Sequence, residues 1–254
     1  MKTKALVIGS IVVIAGSLLI VDPVAQDPLY HAFADNRPML GVANFWNVIS
    51  NLAFLAAGGV GLWFFLSKNE AELTPKIEPG IRGAYVVFFL GVLATCFGSG
   101  WYHLAPDNNS LVWDRLPMTL AFMGFFAVII GEHVSPRVAR RLLWPLLIVG
   151  AGSVFYWQYT EAQGVGDLRP YALVQFLPIL LIPIILLTFP SRFHGSGFYW
   201  GMLAVYVAAK VFEYYDLQIY KTLGIISGHS LKHLAAAIAP AIFLWGISRR
   251  RLVL

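Results

Sequence analysis

Residues 97–118 read FGSGWYHLAPDNNSLVWDRLPM. Apolar sequence gives way to a short turn of Pro, Asp and Asn residues, which favour chain reversal, and then resumes. On either side lie the apolar runs 82–104 and 113–134. Each is as long as the roughly 17 to 25 residues a helix needs to cross hydrocarbon. The stretch therefore reads as the tip of a helical hairpin whose arms both cross a membrane.

The same scan carried outward adds runs at 5–21, 43–67, 141–158, 171–189, 196–215 and 225–248. The gaps between them are too short for a soluble domain, and none of the runs alternates apolar and polar residues as barrel strands do. The expected fold is all-α: a polytopic bundle of seven membrane helices with one extra N-terminal hydrophobic helix. Residues 1–29 would form that helix and a connector, and residues 30–254 the seven-helix domain. The run at 5–21 follows Lys2 and Lys4 and has the look of a signal segment, but Ala32-Phe33-Ala34 lies too far beyond its apolar core for cleavage, so a retained helix is expected.

Composition agrees, with 58% hydrophobic and 12% charged residues, against about 25% charged in ordinary soluble domains. The net charge of +5 is distributed by side. Alternate loops place Lys2, Lys4, Lys68, Lys76, Arg82, Arg137, Arg140, Arg141, Arg192 and Arg249, Arg250 and Arg251 on one side, but only Arg37, Arg169 and Lys221 on the other. This asymmetry marks the basic side as cytoplasmic, with the C-terminus on it, and removes the need for a nucleic-acid partner. A single cysteine, Cys96, excludes an intrachain disulfide. Pro145, Pro178, Pro183 and Pro240 fall inside apolar runs and predict kinks.

Against this background, polar groups at membrane depth are functional candidates. Ser99 and His103 are four apart on one helix face, and Asp114 begins the next run just beyond the turn. A plainer reading makes Asp114 a helix cap and Ser99 a hydroxyl bonded back to its own helix. The last run opens SGHSLKHLAAA, with His229 and His233 one turn apart, a spacing that lets two imidazoles share a cation. By the loop count, all of these groups lie at the outer ends of their helices. Three imidazoles with an open fourth position suit a catalytic zinc, with Asp114 as proton acceptor and donor and Ser99 orienting water or an oxyanion. That chemistry is hydrolysis of an amide or ester. Lys210, Glu213 and Asp216, spaced by three, are either a self-satisfied charge cluster or a polar wall for a substrate headgroup. His31, His133 and His194 receive no role.

Ser99-x-x-x-His103, Asp114, and His229-x-x-x-His233, together with FWNVISN at 45–51, resemble the alkaline ceramidase family and the wider membrane-hydrolase superfamily that includes adiponectin-type receptors. YHAFADNRP at 30–38 is similar to the family's bacterial members, which implies a bacterial inner membrane. The resemblance spans about residues 30–248. It implies seven helices around a cavity open to lipid, zinc on His103, His229 and His233, Asp114 as proton shuttle, Ser99 near the oxyanion, and hydrolysis of a ceramide-like amide. Some members carry calcium on acidic residues before FWN. Here Asp35, Asn36 and Asn44 occupy that region, a thin set for calcium. Trp101, Trp113 and Phe122 are expected along an acyl cavity. A receptor with a structural metal, or a transporter using Lys210, Glu213 and Asp216, are the other classes the residues allow.

Overall fold

The computed structural model describes residues 20–252 together with Gly9, Gly16 and Ser17. The run at 5–21, and with it the expected extra helix, lies almost wholly outside the described residues. Seven long helices follow: α1 (Phe45–Leu66), α2 (Arg82–Leu104), α3 (Asn108–Ile129, prolonged by a π turn over Ile130–Val134), α4 (Pro136–Ala162), α5 (Arg169–Thr188), α6 (Phe198–Tyr214) and α7 (Gly228–Arg249). Among the described residues, six are long and apolar enough to cross a membrane. The exception is α6, whose 17 residues span about 25 Å at 1.5 Å per residue, short of a hydrocarbon core of about 30 Å.

The helix boundaries follow from local chemistry. Asp107 caps α3 in a reciprocal box: its carboxylate accepts from the Ser110 N–H at 2.6 Å, and the Ser110 hydroxyl accepts from the Asp107 N–H at 3.0 Å. The Ser110 N–H also holds the Asp107 carboxyl below its usual range. The helix consequently starts at Asn108, ahead of the apolar run at 113, and Asp114 lies inside it rather than at its cap. Ser135 ends the π turn and caps α4, with Pro136 at the first helical position, so one residue separates the two helices. Pro117, Pro145, Pro178, Pro183 and Pro240 all sit inside helices that continue through them.

Two glycines set how closely the functional helix ends approach. A Cβ on Gly98 would fall 2.0 Å from the Trp113 carbonyl oxygen, and one on Gly228 would fall 2.1 Å from that of Phe212. Side chains there would force apart α2 from α3 and α6 from α7, the small-residue contact that membrane helices use in place of a hydrophobic drive.

The basic loops gather at one end of the bundle. A two-stranded antiparallel ribbon, β1 (Phe193–His194) with β2 (Arg251–Leu252), ties the C-terminal tail to the α5–α6 loop. Lys76 Nζ donates to the Ser248 carbonyl at 2.5 Å, and Arg192 pairs with Glu78 at 3.1 Å. Within this end lies a buried ion pair: Arg250 donates to both oxygens of Glu132, at 2.5 and 2.7 Å. Tyr199 donates to the same carboxylate at 2.6 Å, and Tyr85 does so as well.

Candidate metal centre and its cavity

The opposite end holds the residues singled out by the hairpin sequence. His103 comes from the last turn of α2, and His229 and His233 from the first turns of α7. All three are buried, and each offers a ring nitrogen within 4.8 Å of the other two. The rings of His103 and His229 lie 4.9 Å apart, those of His103 and His233 5.0 Å, and those of His229 and His233 4.9 Å. Nε2 of His103 faces Nε2 of His229 at 3.3 Å.

The neighbouring residues hold the three histidines in different ways. The Ser50 hydroxyl bonds His233 Nδ1 at 2.8 Å, which directs the other nitrogen of that ring inward. The His229 N–H donates to Asp216 Oδ1 at 2.7 Å, so Asp216 anchors the start of α7. Phe33 covers the rings of His103 and His229 at 4.7 and 4.5 Å. Asn44 Nδ2 donates to the His103 carbonyl at 2.8 Å. His103 Nδ1 is buried with no hydrogen-bond partner among the described residues. Three imidazoles that bring ring nitrogens together without an acid among them suit a cation with nitrogen ligands better than a self-contained polar core.

Asp114 and Ser99 are both buried, and the Ser99 hydroxyl lies near enough to the carboxylate to interact with it. Both line a cavity of about 370 Å³ that also reaches His233. Its other end is apolar, with Phe88, Ile182 and Met202 on its walls. The side walls include α5 and α6, which pack little against each other and are bridged by Gln175 Nε2 donating to Tyr206 OH at 3.1 Å. Phe122 lines this cavity, whereas Trp101 and Trp113, expected there, are 61% and 58% exposed and face outward.

Lys210, Glu213 and Asp216 part company. Lys232 Nζ reaches Glu213 at 2.6 Å, and Lys210 pairs with the same carboxylate; all three groups line the cavity. Asp216 opens the separate short helix Asp216–Leu223 and spends its oxygens on the backbone N–H groups of His229 and Ala34. The break at Tyr215 turns it away from the α6 face that the spacing of three predicted. The calcium candidates are likewise engaged or apart. Arg37 binds both oxygens of Asp35 at 2.8 Å and holds that carboxyl below its usual range, Asn44 is committed to His103, and Asn36 is exposed. Among the described residues the three histidines are the group of His, Cys, Asp or Glu side chains placed to share a metal.

The sequence pattern of the Ceramidase family matches residues 39–248. The chain belongs to the ceramidase family. A Dictyostelium discoideum protein, dcd3A, whose name gives it as a candidate alkaline ceramidase, is 22% identical over 129 residues, covering 44% of this chain. The chain in turn spans 44% of that relative's length.

Within this ceramidase-family chain, several site residues lie in stretches that resemble the family but have no role that the sequence alone assigns. Ser50 and Asn47 of FWNVISN tie α1 to α7, since Ser230 donates to Asn47 Oδ1 at 2.7 Å beside the Ser50–His233 contact. His31 bonds Tyr102 OH at 2.9 Å and Asn108 at 3.0 Å, pinning the segment that carries Phe33. Arg115 and Lys232 had a signal of another kind, being cations inside apolar runs next to Asp114 and His233.

Proposed function

We propose that this chain is a zinc-dependent membrane amidohydrolase that cleaves the amide of a ceramide-like or other N-acyl lipid. The observation that carries this reading is the meeting of three buried imidazoles with the Ser99–Asp114 pair beside a cavity whose far end is apolar. His103, His229 and His233 would hold the ion, and zinc in such a site supplies Lewis acidity toward water and toward a carbonyl oxygen.

The chain's own residues do the rest. The apolar end of the cavity takes the acyl chain and sets the amide near Asp114. Asp114 accepts a proton from the attacking water and delivers it to the amide nitrogen as the C–N bond breaks, leaving a fatty acid and an amine. Ser99 holds the carboxylate in place through its hydroxyl. Phe33 and the segment around it exclude bulk water from the imidazoles, which strengthens every charge interaction inside. The thin contact between α5 and α6 supports substrate entry from the lipid side. The loop charges support a cytoplasmic basic end, with the metal centre near the outer face of a bacterial inner membrane.

Purified protein is expected to hold about one zinc per chain. Asp114→Asn is expected to keep that zinc while hydrolysis of mixed N-acyl lipids, followed by lipid mass spectrometry, falls by about 10²- to 10⁴-fold. Hydrolysis at the parent rate by Asp114→Asn would remove Asp114 from the mechanism. A protein that binds zinc and cleaves no N-acyl lipid would favour a receptor.

A further inference from the structure

Two arginines are buried in the described structure, Arg115 and Arg250. Arg250 faces Glu132 in a bidentate pair, as a guanidinium removed from water requires. Arg115, 5% exposed, has no carboxylate within ion-pair distance among the described residues. Its guanidinium lies over the rings of Trp157 at 4.1 Å and Tyr171 at 4.7 Å. Its Nη2 donates to Gln26 Oε1 at 2.6 Å, and its Nη1 is buried with no partner among the described residues. Glu161, next to this stack, accepts instead from Trp157 Nε1 at 3.0 Å and from the Gln26 N–H at 2.5 Å. These ring faces, with that of Tyr30 at 5.8 Å, stabilise the cation but accept none of its in-plane N–H groups.

Arg115 lines the same cavity as Asp114, together with Tyr30, Leu168 and Tyr171, and its unmatched Nη1 is covered by the surrounding side chains. The other cations there, Lys210 and Lys232, both contact the Glu213 carboxylate. The apolar end lies away from Arg115, so an acyl chain seated there with its amide at Asp114 presents the amine half of the molecule to the guanidinium.

We infer that Arg115 is a specificity-determining residue that binds a carboxylate on the amine half of the substrate, making an N-acyl amino acid the preferred class over a neutral ceramide-like lipid. This rests on the reading of the cavity as an N-acyl lipid site, and the ligand carboxylate adds a contact ion pair to the longer-range interaction that Arg115 has with Asp114. A planar guanidinium pre-oriented by two aromatic rings matches the fork of a carboxylate.

The test measures binding, so that it stands apart from turnover. In zinc-loaded Asp114→Asn protein in detergent, N-oleoylglycine is expected to bind about tenfold or more tightly than N-oleoylethanolamine, which has the same acyl amide without the charge. With Arg115→Gln added, that preference is expected to disappear while the melting temperature stays within a few degrees. If glutamine at this position prevents folding, Arg115→Lys serves: the preference must shrink, because an ammonium lacks the planar fork. Equal binding of the two lipids in the parent, or an unchanged preference in either Arg115 variant, would overturn the inference. So would oleate binding as tightly as N-oleoylglycine, since the anion would then lie at the acyl end. Failure of the hydrolysis proposal reads differently: the wild-type protein cleaves neither lipid, yet the charge preference and its dependence on Arg115 persist.

Discussion

Glu132 with Arg250 at one end of the bundle, and Arg115 with the three histidines at the other, are equally removed from solvent and differ in what satisfies them. The Glu132 carboxylate receives two N–H groups of Arg250 and the hydroxyls of Tyr85 and Tyr199, and Phe193 stacks on the guanidinium at 4.0 Å. No residue of that cluster lines the 370 Å³ cavity. Unmatched buried atoms occur at both ends, Glu78 Oε1 and His133 Nε2 at the basic end and His103 Nδ1 and Arg115 Nη1 at the other, but of these residues Arg115 alone lines the cavity, which His233 also borders. Burial alone therefore does not identify a functional charge here. The distinguishing mark is a buried polar atom left unmatched beside a cavity, because its partner must come from a ligand.

That contrast can be broken by experiment. Arg250→Ala strands the Glu132 carboxylate and is expected to cost about 3–5 kcal/mol of stability, read as a lower melting temperature in detergent, with zinc content per folded chain unchanged. A comparable loss of zinc at full stability would show that the two ends are not separate in role. A smaller effect is expected from Ser50→Ala, which frees His233 Nδ1. Zinc affinity should fall about 10- to 100-fold, as when other second-layer partners of metal-binding histidines are lost, measured by competition with a chelator. Melting of the metal-free protein should move far less than in Arg250→Ala. Unchanged zinc affinity would remove Ser50 from the support of the centre.

The same contrast explains what could be read in the sequence. Apolar runs marked the helices because burying backbone polar groups in lipid leaves helix as the available form. Spacings of four placed Ser99 with His103 and His229 with His233, since one helical turn fixes both side chains on one face. Asp114 was ambiguous between cap and interior until Asp107 took the cap, a choice made by Ser110 through two local hydrogen bonds. Trp101 and Trp113 looked like cavity residues by type alone, and helix rotation turned them outward. Asp216 kept the right spacing but met a helix break. Arg250 looked like one of three solvent-facing basic residues at the chain's end. Pairing of β1 with β2 folds the tail back and buries it against Glu132, a contact 118 residues away in sequence that no local pattern encodes. Phe33 and Ser50 lie in family-like stretches, but their contacts with His229 and His233 are long-range in the same way.

X-ray absorption at the zinc edge of the purified protein tests the centre most directly. Coordination by three imidazole nitrogens at about 2.0 Å, with no sulfur, and loss of that signal in His103→Ala at an unchanged fold, is the predicted result. A spectrum with fewer than three imidazole ligands, or one that His103→Ala leaves intact, would contradict the proposal that His103, His229 and His233 share an ion.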